Sequence, residues 1–149
     1  MKQIQFTGAE GQTLAADTMG VDDALPVILA HGGGQTRLSW RRTQERLAAA
    51  GLRAIAIDLR GHGESQWSSS GHYRIEDFAD DLLCVAHALG TPPALVGASL
   101  GGLSGLIAEG ESRPGSFASL TLVDSAPNME PAGGARATGV VAGHRETGF

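Results

Sequence analysis

Short apolar runs that alternate with helical patterns limit the possible folds of this chain more than any other feature. Three such runs occupy residues 26–30, 53–59 and 94–98, and each ends at a polar or glycine-rich turn. Apolar runs of this length are typical of strands that are buried on both faces of a sheet. Helical patterns follow the first two runs, at residues 39–50 and 78–89. Strands that alternate with helices predict a parallel sheet with right-handed crossover connections.

Further elements flank this alternating core. Residues 2–7 and 12–18 alternate polar and apolar residues on either side of the sequence GAEG, which predicts an antiparallel hairpin. Residues 100–110 predict a further helix, and residues 119–125 predict a fourth buried strand. The predicted fold class is therefore an open α/β sheet with an antiparallel hairpin at one edge.

The helix predicted at residues 78–89 is amphipathic. Its apolar residues recur at spacings of four, three and four, with aspartates between them, and Gly90 closes it. The apolar residues are Phe78, Leu82, Val85 and Leu89, and the aspartates are Asp77, Asp80 and Asp81. The only cysteine of the chain, Cys84, lies in this apolar stretch. A buried and inert thiol is therefore expected, since one cysteine cannot form an internal disulfide.

Composition narrows the functional classes. The 149 residues suit one domain, and 42% hydrophobic with 18% charged residues is the composition of a globular protein. A net charge of −5 offers no basic patch, so nucleic acid is not expected as a partner. No apolar run approaches the ~20 residues that span a membrane, and the first residues lack the apolar core of a signal peptide. A cytoplasmic soluble protein is predicted, and export as part of a longer precursor is the alternative.

The sequence GASLG at residues 97–101 matches the pattern Gly-x-Ser-x-Gly. This pattern exposes a nucleophilic serine on a sharp turn between a strand and a helix. Ser99 has that context, because it follows a predicted strand and precedes a predicted helix. The amino terminus of that helix adds a partial positive field that favours anionic intermediates. Ser99 is therefore the candidate nucleophile, and an incidental serine in a glycine-rich turn is the alternative.

A glycine run, HGGG at residues 31–34, follows the first buried strand. Such a run directs backbone N–H groups toward one point and forms an oxyanion hole with the N–H group that follows the nucleophile. The donors predicted in this chain are Gly33 and Leu100. A phosphate-binding loop is the alternative, but the run lacks the Gly-Lys-Ser/Thr ending of a P-loop.

A third loop, RGHGES at residues 60–65, follows the second buried strand. Its histidine, His62, is a candidate general base by chemistry alone, but it precedes Ser99 in the chain. A histidine in such a loop more often fixes a turn by hydrogen bonding than accepts protons. We therefore expect His62 to be structural.

Four motifs in this order, ILAHGGGQTRLSW, AIDLRGHGES, LVGASLGG and LVDSAP, resemble the amino-terminal half of the α/β-hydrolase superfamily. They are most similar to its single-domain, cap-bearing serine hydrolases. The resemblance implies a three-layer α/β-hydrolase fold, with a mostly parallel sheet and helices on both faces, truncated after about the sixth strand. It assigns residues 1–126 to the hydrolase core and residues 127–149 to the start of a truncated cap.

The resemblance also implies a chemistry. It implies an enzyme that cleaves a carboxylic ester or similar acyl bond of a small-molecule substrate through an acyl-enzyme on Ser99. Gly33 and Leu100 would supply the oxyanion N–H groups, with no metal and no cofactor. Dehalogenase and epoxide-hydrolase relatives carry Asp in place of Ser99. The alternatives are a cofactor-free haloperoxidase or perhydrolase, a carbon–carbon bond hydrolase, and a non-catalytic binding module on the same fold.

The catalytic acid and base of this superfamily follow the nucleophile, in the order Ser, Asp or Glu, His. After Ser99 the only histidine is His144, and Asp124 ends the last apolar strand run. His144 lies in the stretch that resembles the start of a cap, so the acid and the histidine are expected beyond residue 149. The chain is accordingly expected to be an incomplete hydrolase that is inactive and poorly stable alone. A self-contained Ser99–Asp124–His144 triad is the alternative.

Overall fold

The computed structural model describes residues 1–125; residues 126–149, with His144 and the predicted cap, lie outside the described residues. The strands are β1 Lys2–Thr7, β2 Thr13–Met19, β3 Pro26–Ala30, β4 Arg53–Ile57, β5 Ala94–Ala98 and β6 Ser119–Val123. The α-helices are α1 Arg41–Ala49, α2 Ile75–Ala88 and α3 Leu100–Ile107. A 3-10 turn, Arg37–Trp40, precedes α1, and a π-helical turn, Ala108–Ser112, follows α3. No helix in this part of the chain is long and apolar enough to cross a membrane.

The strands form one sheet in the order β1-β2-β4-β3-β5-β6. Strands β4, β3, β5 and β6 run parallel to one another, whereas β2 is antiparallel to both β1 and β4. This arrangement confirms the predicted open α/β sheet with a hairpin at one edge. Because parallel strands end at the same edge of a sheet, the loops after β3, β4 and β5 meet there.

Strand β3 lies at the centre of the sheet, and all five of its residues are buried. Successive side chains of a strand point to opposite faces of the sheet. Ile28 packs in a cluster with Leu82 of α2, whereas Leu29 packs in a second cluster with Leu47 of α1. The sheet is therefore covered by helices on both faces, which confirms the predicted three-layer arrangement.

Several element boundaries differ from the sequence prediction: α2 begins at Ile75 rather than residue 78, and β6 ends at Val123 rather than residue 125. Strand β4 ends at Ile57 rather than residue 59. The Asp58 N–H still donates to the Ala15 carbonyl of β2, whereas the Leu59 N–H donates to His31 in the loop after β3. The helix predicted at residues 39–50 starts as a 3-10 turn and becomes α-helical only at Arg41. Helix α3 ends at Ile107 rather than residue 110, where the chain continues as the π-helical turn.

Helix α2 has the predicted apolar face, but an ion pair buries one aspartate that the polarity pattern places on the exposed face. Its predicted apolar face is buried at Phe78, Leu82 and Val85, and Leu89 packs against the same cluster. Asp81, which the pattern groups with the polar residues, is only 1% exposed. The Arg60 guanidinium donates to its carboxylate at 2.6 and 2.8 Å, and such charge-assisted pairing permits burial. Cys84 is half-buried rather than buried, and its burial raises the pKa of the thiol, which agrees with an unreactive group.

Candidate active site

Ser99 lies on the sharp turn that joins β5 to α3. Its backbone has φ 44° and ψ −110°, a conformation that residues other than glycine rarely adopt. Holding a serine in such a region costs on the order of 1–3 kcal/mol and is typical of functional sites. The turn leaves Ser99 exposed at the carboxyl edge of the sheet. The backbone at Ser99 thus has the strained strand-to-helix turn that the sequence motif requires.

Two glycines allow this turn because the strand and the helix approach each other closely. A Cβ atom on Gly97 would lie 2.5 Å from the backbone nitrogen of Gly102. A Cβ atom on Gly101 would lie 2.5 Å from the carbonyl oxygen of Ala30 on β3. Both distances are too short for any side chain, so these two positions of the motif are fixed by backbone packing.

Hydrogen bonds hold the turn in place from three sides. The Ser99 N–H donates to the Val123 carbonyl at the end of β6, at 3.2 Å. The Leu103 N–H donates to the Ser99 carbonyl at 2.9 Å, and the Ser125 hydroxyl donates to the same oxygen at 3.3 Å. The Gly101 N–H donates to the His31 carbonyl at 3.1 Å. The nucleophile turn is therefore fastened both to the neighbouring strand and to the loop after β3.

The glycine run lies in the loop after β3, next to the nucleophile. A Cβ atom on Gly32 would lie 3.4 Å from Ser99 Cβ, and one on Gly33 would lie 4.0 Å from Leu100 Cδ2. The structure thus brings together Ser99, Gly33 and Leu100, the three residues that the sequence singled out.

Hydrogen bonding distinguishes Gly33 from the glycines on either side of it. The Gly32 N–H donates to Gln35 Oε1 at 3.0 Å, and the Gly34 N–H donates to His62 Nε2 at 3.2 Å. Within residues 1–125, no hydrogen bond engages the Gly33 N–H. Of the three N–H groups in the run, this one remains available to a ligand on the described part of the chain.

Leu100, like Gly33, has an N–H group without an acceptor in the described part of the chain, between two residues whose N–H groups have one. The N–H groups of Ser99 and Gly101 are occupied by Val123 and His31, as above. The Leu100 N–H opens helix α3, where an N–H group has no intrahelical acceptor. Among the described residues it has no other acceptor. Two residues beside the nucleophile, Gly33 and Leu100, therefore have N–H groups that no described residue engages.

His31 is fully buried beneath this loop. Its Nδ1 lies 2.7 Å from the Gly32 carbonyl, and its Nε2 accepts the Leu59 N–H at 3.1 Å. These partners require a neutral ring with its proton on Nδ1, because a carbonyl accepts and an N–H donates. Burial lowers the pKa of His31 to about 4, which keeps the ring in that form.

His62 packs beside His31, with the two ring centroids 5.0 Å apart. Its Nε2 accepts the Gly34 N–H, and its Nδ1 lies 2.9 Å from the Arg60 carbonyl. The prediction that His62 fixes a turn by hydrogen bonding is confirmed. Since both rings use both nitrogens on backbone groups, neither His31 nor His62 is oriented to take a proton from Ser99.

A buried charge cluster, which the sequence did not reveal, anchors the far end of the loop after β3. Arg37 is 6% exposed and contacts the carboxylates of Asp17, at 3.1 Å, Asp58 and Glu64. The backbone N–H of Arg37 also donates to Asp58 Oδ1 at 2.7 Å. Arg37 and Asp58 belong to two of the four sequence motifs, ILAHGGGQTRLSW and AIDLRGHGES, but neither motif indicates that the two residues pair. Their contact joins the loop after β3 to the loop after β4.

The other candidate catalytic residues are only partly described. Asp124 directly follows β6, is exposed, and has φ 50°. His144 lies outside the described residues. Among residues 1–125, no group of three His, Cys, Asp or Glu side chains is arranged to hold a metal ion.

Comparison with known proteins identifies the family. A family model described as alpha/beta hydrolase fold matches residues 26–142. The chain belongs to the α/β hydrolase fold family. The resemblance seen in the four sequence motifs is thereby confirmed, and so is the fold class that it implied.

Individual relatives agree with this assignment. Esterase Rv0045c of Mycobacterium tuberculosis is 38% identical over 104 residues, which are 68% of this chain and 33% of the relative. A non-heme chloroperoxidase of Streptomyces lividans is 31% identical over 122 residues, 81% of this chain and 44% of the relative. A thermophilic esterase of Thermogutta terrifontis has a similar structure, with a TM-score of 0.76 and 31% identity over 99% of this chain and 55% of that one. The chain thus spans less than half the length of these two curated relatives.

Proposed function

We propose that this chain carries the nucleophile and the oxyanion-binding groups of a serine hydrolase that cleaves a carboxylic ester or a similar acyl bond. One observation carries the proposal: Gly33 and Leu100, whose N–H groups have no acceptor within residues 1–125, lie next to a serine held in a strained backbone conformation. A pair of such donors is what a tetrahedral acyl-transfer intermediate needs for its negative oxygen. Relatives named as esterases support the same reaction class.

In the proposed reaction, Ser99 Oγ attacks the carbonyl carbon of the ester. The carbonyl oxygen takes up the electron pair, and the N–H groups of Gly33 and Leu100 donate to it. The amino terminus of α3 adds its partial positive charge at the same place. When the carbonyl re-forms, the alcohol leaves with a proton, and the acyl group stays on Ser99. Water then attacks the acyl-enzyme in the same way and releases the carboxylic acid.

The proton of Ser99 needs an acceptor. We propose that this base is a histidine outside residues 1–125, because the family order places it after Ser99. The two histidines in the loops beside Ser99, His31 and His62, also use both ring nitrogens on backbone groups. The acid that orients the base is proposed to follow Ser99 in the chain, as in the family order. Asp124 is a candidate by position, since it directly follows β6.

Covalent labelling of Ser99 by a fluorophosphonate tests this proposal on the 149-residue chain. Oxyanion donors and binding alone retain roughly 10³–10⁴ of acceleration when other triad members are removed. Ser99 is therefore expected to react faster than every other serine, even if the base lies outside this chain. Ser99→Ala should abolish the label, whereas Ser104→Ala, one turn along α3, should keep it. A folded chain whose Ser99 reacts no faster than Ser104 or Ser116 would instead support a non-catalytic binding module.

A cofactor-free haloperoxidase or perhydrolase is the second candidate function. It is favoured by the similarity to the chloroperoxidase of Streptomyces lividans. Both chemistries pass through an acyl group on Ser99 and differ in whether water or hydrogen peroxide accepts it. Hydrolysis of p-nitrophenyl butyrate, compared with peracid formation from acetate and hydrogen peroxide, separates the two. In a protein that also carries the catalytic histidine and acid, we expect the ester to be the better substrate, and faster peracid formation would favour the second candidate.

A further inference from the structure

Gln35 makes two hydrogen bonds to a single residue of the glycine run. Its side-chain Oε1 accepts the Gly32 N–H at 3.0 Å. Its backbone N–H donates to the Gly32 carbonyl at 3.1 Å. Since the Gly32 N–H can only donate, the atom that faces it must be the amide oxygen, which fixes the orientation of the carboxamide. Gln35 thus binds both polar backbone groups of Gly32.

These two bonds control the next N–H group in the chain. The Gly32 carbonyl and the Gly33 N–H belong to one planar peptide unit and point in opposite directions. Whatever holds the carbonyl therefore aims the N–H. The Gly32 carbonyl is held by the Gln35 N–H on the loop and by His31 Nδ1 from the core, at 3.1 and 2.7 Å. The Gln35 side chain holds the preceding peptide unit through the Gly32 N–H, so both peptide units that meet at Gly32 are held by hydrogen bonds.

The position of Gly32 makes this arrangement matter for the nucleophile. A Cβ atom there would lie 3.1 Å from Gln35 Oε1 and 3.4 Å from Ser99 Cβ. Gln35 and Ser99 therefore border the same glycine. Gln35 itself is exposed, so an ordered side chain at this position loses conformational entropy that only its hydrogen bond offsets.

We propose that Gln35 is a positioning residue that aims the Gly33 N–H at the oxyanion. Its hydrogen bonds fix the two peptide planes around Gly32 beside Ser99. The inference rests on the proposed function, because it gives the Gly33 N–H the role of an oxyanion donor. Gln35 acts through the backbone of the loop and does not contact the substrate.

The chain offers a matched control in Gln66. Like Gln35, it is an exposed glutamine that exchanges two hydrogen bonds with one residue. Its Oε1 accepts the Thr13 N–H at 2.7 Å, and its N–H donates to the Thr13 carbonyl at 2.9 Å. Thr13 begins β2, in the hairpin at the edge of the sheet, where it has no part in the proposed site. Loss of the Gln66 side-chain bond should affect stability alone.

The experiment compares Gln35→Met, Gln35→Glu and Gln66→Met in the 149-residue chain. The readouts are the second-order rate of Ser99 phosphonylation and the hydrogen-exchange rate of the Gly32 amide. Methionine keeps the side-chain length and removes the acceptor, whereas glutamate keeps an acceptor oxygen. Loss of a complete oxyanion donor lowers the rate ~10²–10³-fold. A Gly33 N–H that is present but wrongly oriented should therefore slow phosphonylation of Ser99 in Gln35→Met by roughly 10-fold. Gln35→Glu should stay within roughly 3-fold of wild type, and Gln66→Met should be unchanged.

The outcomes separate this inference from the proposed function. Wild-type labelling in Gln35→Met would overturn the positioning role, as would equal slowing in Gln35→Met and Gln66→Met. If Ser99 is not labelled in the wild-type chain, the proposed function fails. The hydrogen-exchange rate of the Gly32 amide then tests by itself whether the Gln35 side chain holds the loop. Faster exchange at Gly32 in Gln35→Met, restored in Gln35→Glu, supports the claim, and unchanged exchange overturns it.

Discussion

The N–H group of Gly101 donates to the carbonyl oxygen of His31 across 3.1 Å. One residue belongs to the helix that follows the nucleophile, and the other to the loop that carries the glycine run. Their strands, β3 and β5, are paired in parallel, with Ala30 opposite Gly97. The two halves of the candidate site therefore come from neighbouring strands and are joined by a backbone hydrogen bond. Any change that separates them should affect both folding and chemistry.

Gly101→Ala is expected to push the helix that follows Ser99 away from strand β3. The added Cβ would lie 2.5 Å from the Ala30 carbonyl oxygen and 2.7 Å from its carbon, and both are backbone atoms that cannot rotate away. Overpacking of this kind costs about 1–3 kcal/mol or more, so urea denaturation should show a loss of at least that size. Gly110→Ala is the control, because no atom of the described residues lies within 4 Å of its Cβ position. Equal stability of the two variants would contradict the close approach of the helix to β3.

His31 should make the folded state sensitive to acid. Its pKa falls from an ordinary 6.5 to about 4 in the folded chain, because burial disfavours the charged form of the ring. Below pH 6.5 the unfolded chain therefore binds a proton that the folded chain does not. This contribution to stability is complete above pH 6.5 and is lost progressively as the pH falls to about 4. The loss is on the order of 3 kcal/mol, measurable as a fall in the free energy of unfolding by urea between pH 7 and pH 4.

The imidazole itself gives the check on this expectation. A nuclear magnetic resonance titration should show the His31 ring still neutral at pH 5, since its pKa is about 4. Midpoint titration near 6.5 would mean that the ring is not buried among the partners described above, and the predicted acid sensitivity would have to come from other groups.

The nucleophile turn was predictable because its signals are local. The strand at β5, the serine and the glycines lie within a few residues, and the close approach of backbones at Gly97 and Gly101 permits no other residue type. The boundaries of β3 and β5 were likewise given by continuous apolar runs. The parallel sheet with its edge hairpin also followed from the sequence, through the alternation of strands and helices, whereas the order of the strands did not.

The buried ion pairs were not predictable in this way. Asp81 of α2 pairs with Arg60, and Arg37 pairs with Asp17 and Asp58. These partners are far apart in the sequence, and no regular spacing connects them. A charged residue in a helical or loop pattern is ordinarily assigned to the surface, and only its partner in space reverses that assignment. The early end of β4 was not predictable for a similar reason, because the Leu59 N–H donates to His31, a residue 28 positions earlier in the chain.

His62→Ala should weaken the fold and spare the chemistry. The variant removes the acceptor of the Gly34 N–H and the ring contact to the Arg60 carbonyl, while leaving the Gly33 N–H unengaged. Loss of these hydrogen bonds should cost about 1–2 kcal/mol in thermal or urea unfolding. Ser99 of the folded variant should still react with a fluorophosphonate within roughly 10-fold of the wild-type rate. A variant that unfolds like the wild type but no longer reacts would show that His62 is part of the chemistry.

Arg37→Met should be the most destabilising of these substitutions. The buried guanidinium contacts Asp17, Asp58 and Glu64, and the first two carboxylates are themselves buried. Removing one partner of a buried pair leaves an uncompensated charge and costs about 3–5 kcal/mol. The free energy of unfolding in urea should fall by that amount at neutral pH.

The matched control is Arg41→Met, four residues along the chain. Arg41 pairs with Glu45 at 3.0 Å, but both side chains are about half exposed, at 47% and 55%. An exposed pair of this kind contributes about 0–1 kcal/mol, so the variant should unfold almost as the wild type does. Adding Asp58→Asn to Arg37→Met removes one of the two stranded charges and should restore part of the lost stability. If Arg37→Met costs no more than Arg41→Met, or the added substitution destabilises further, the cluster does not hold the two loops by charge pairing.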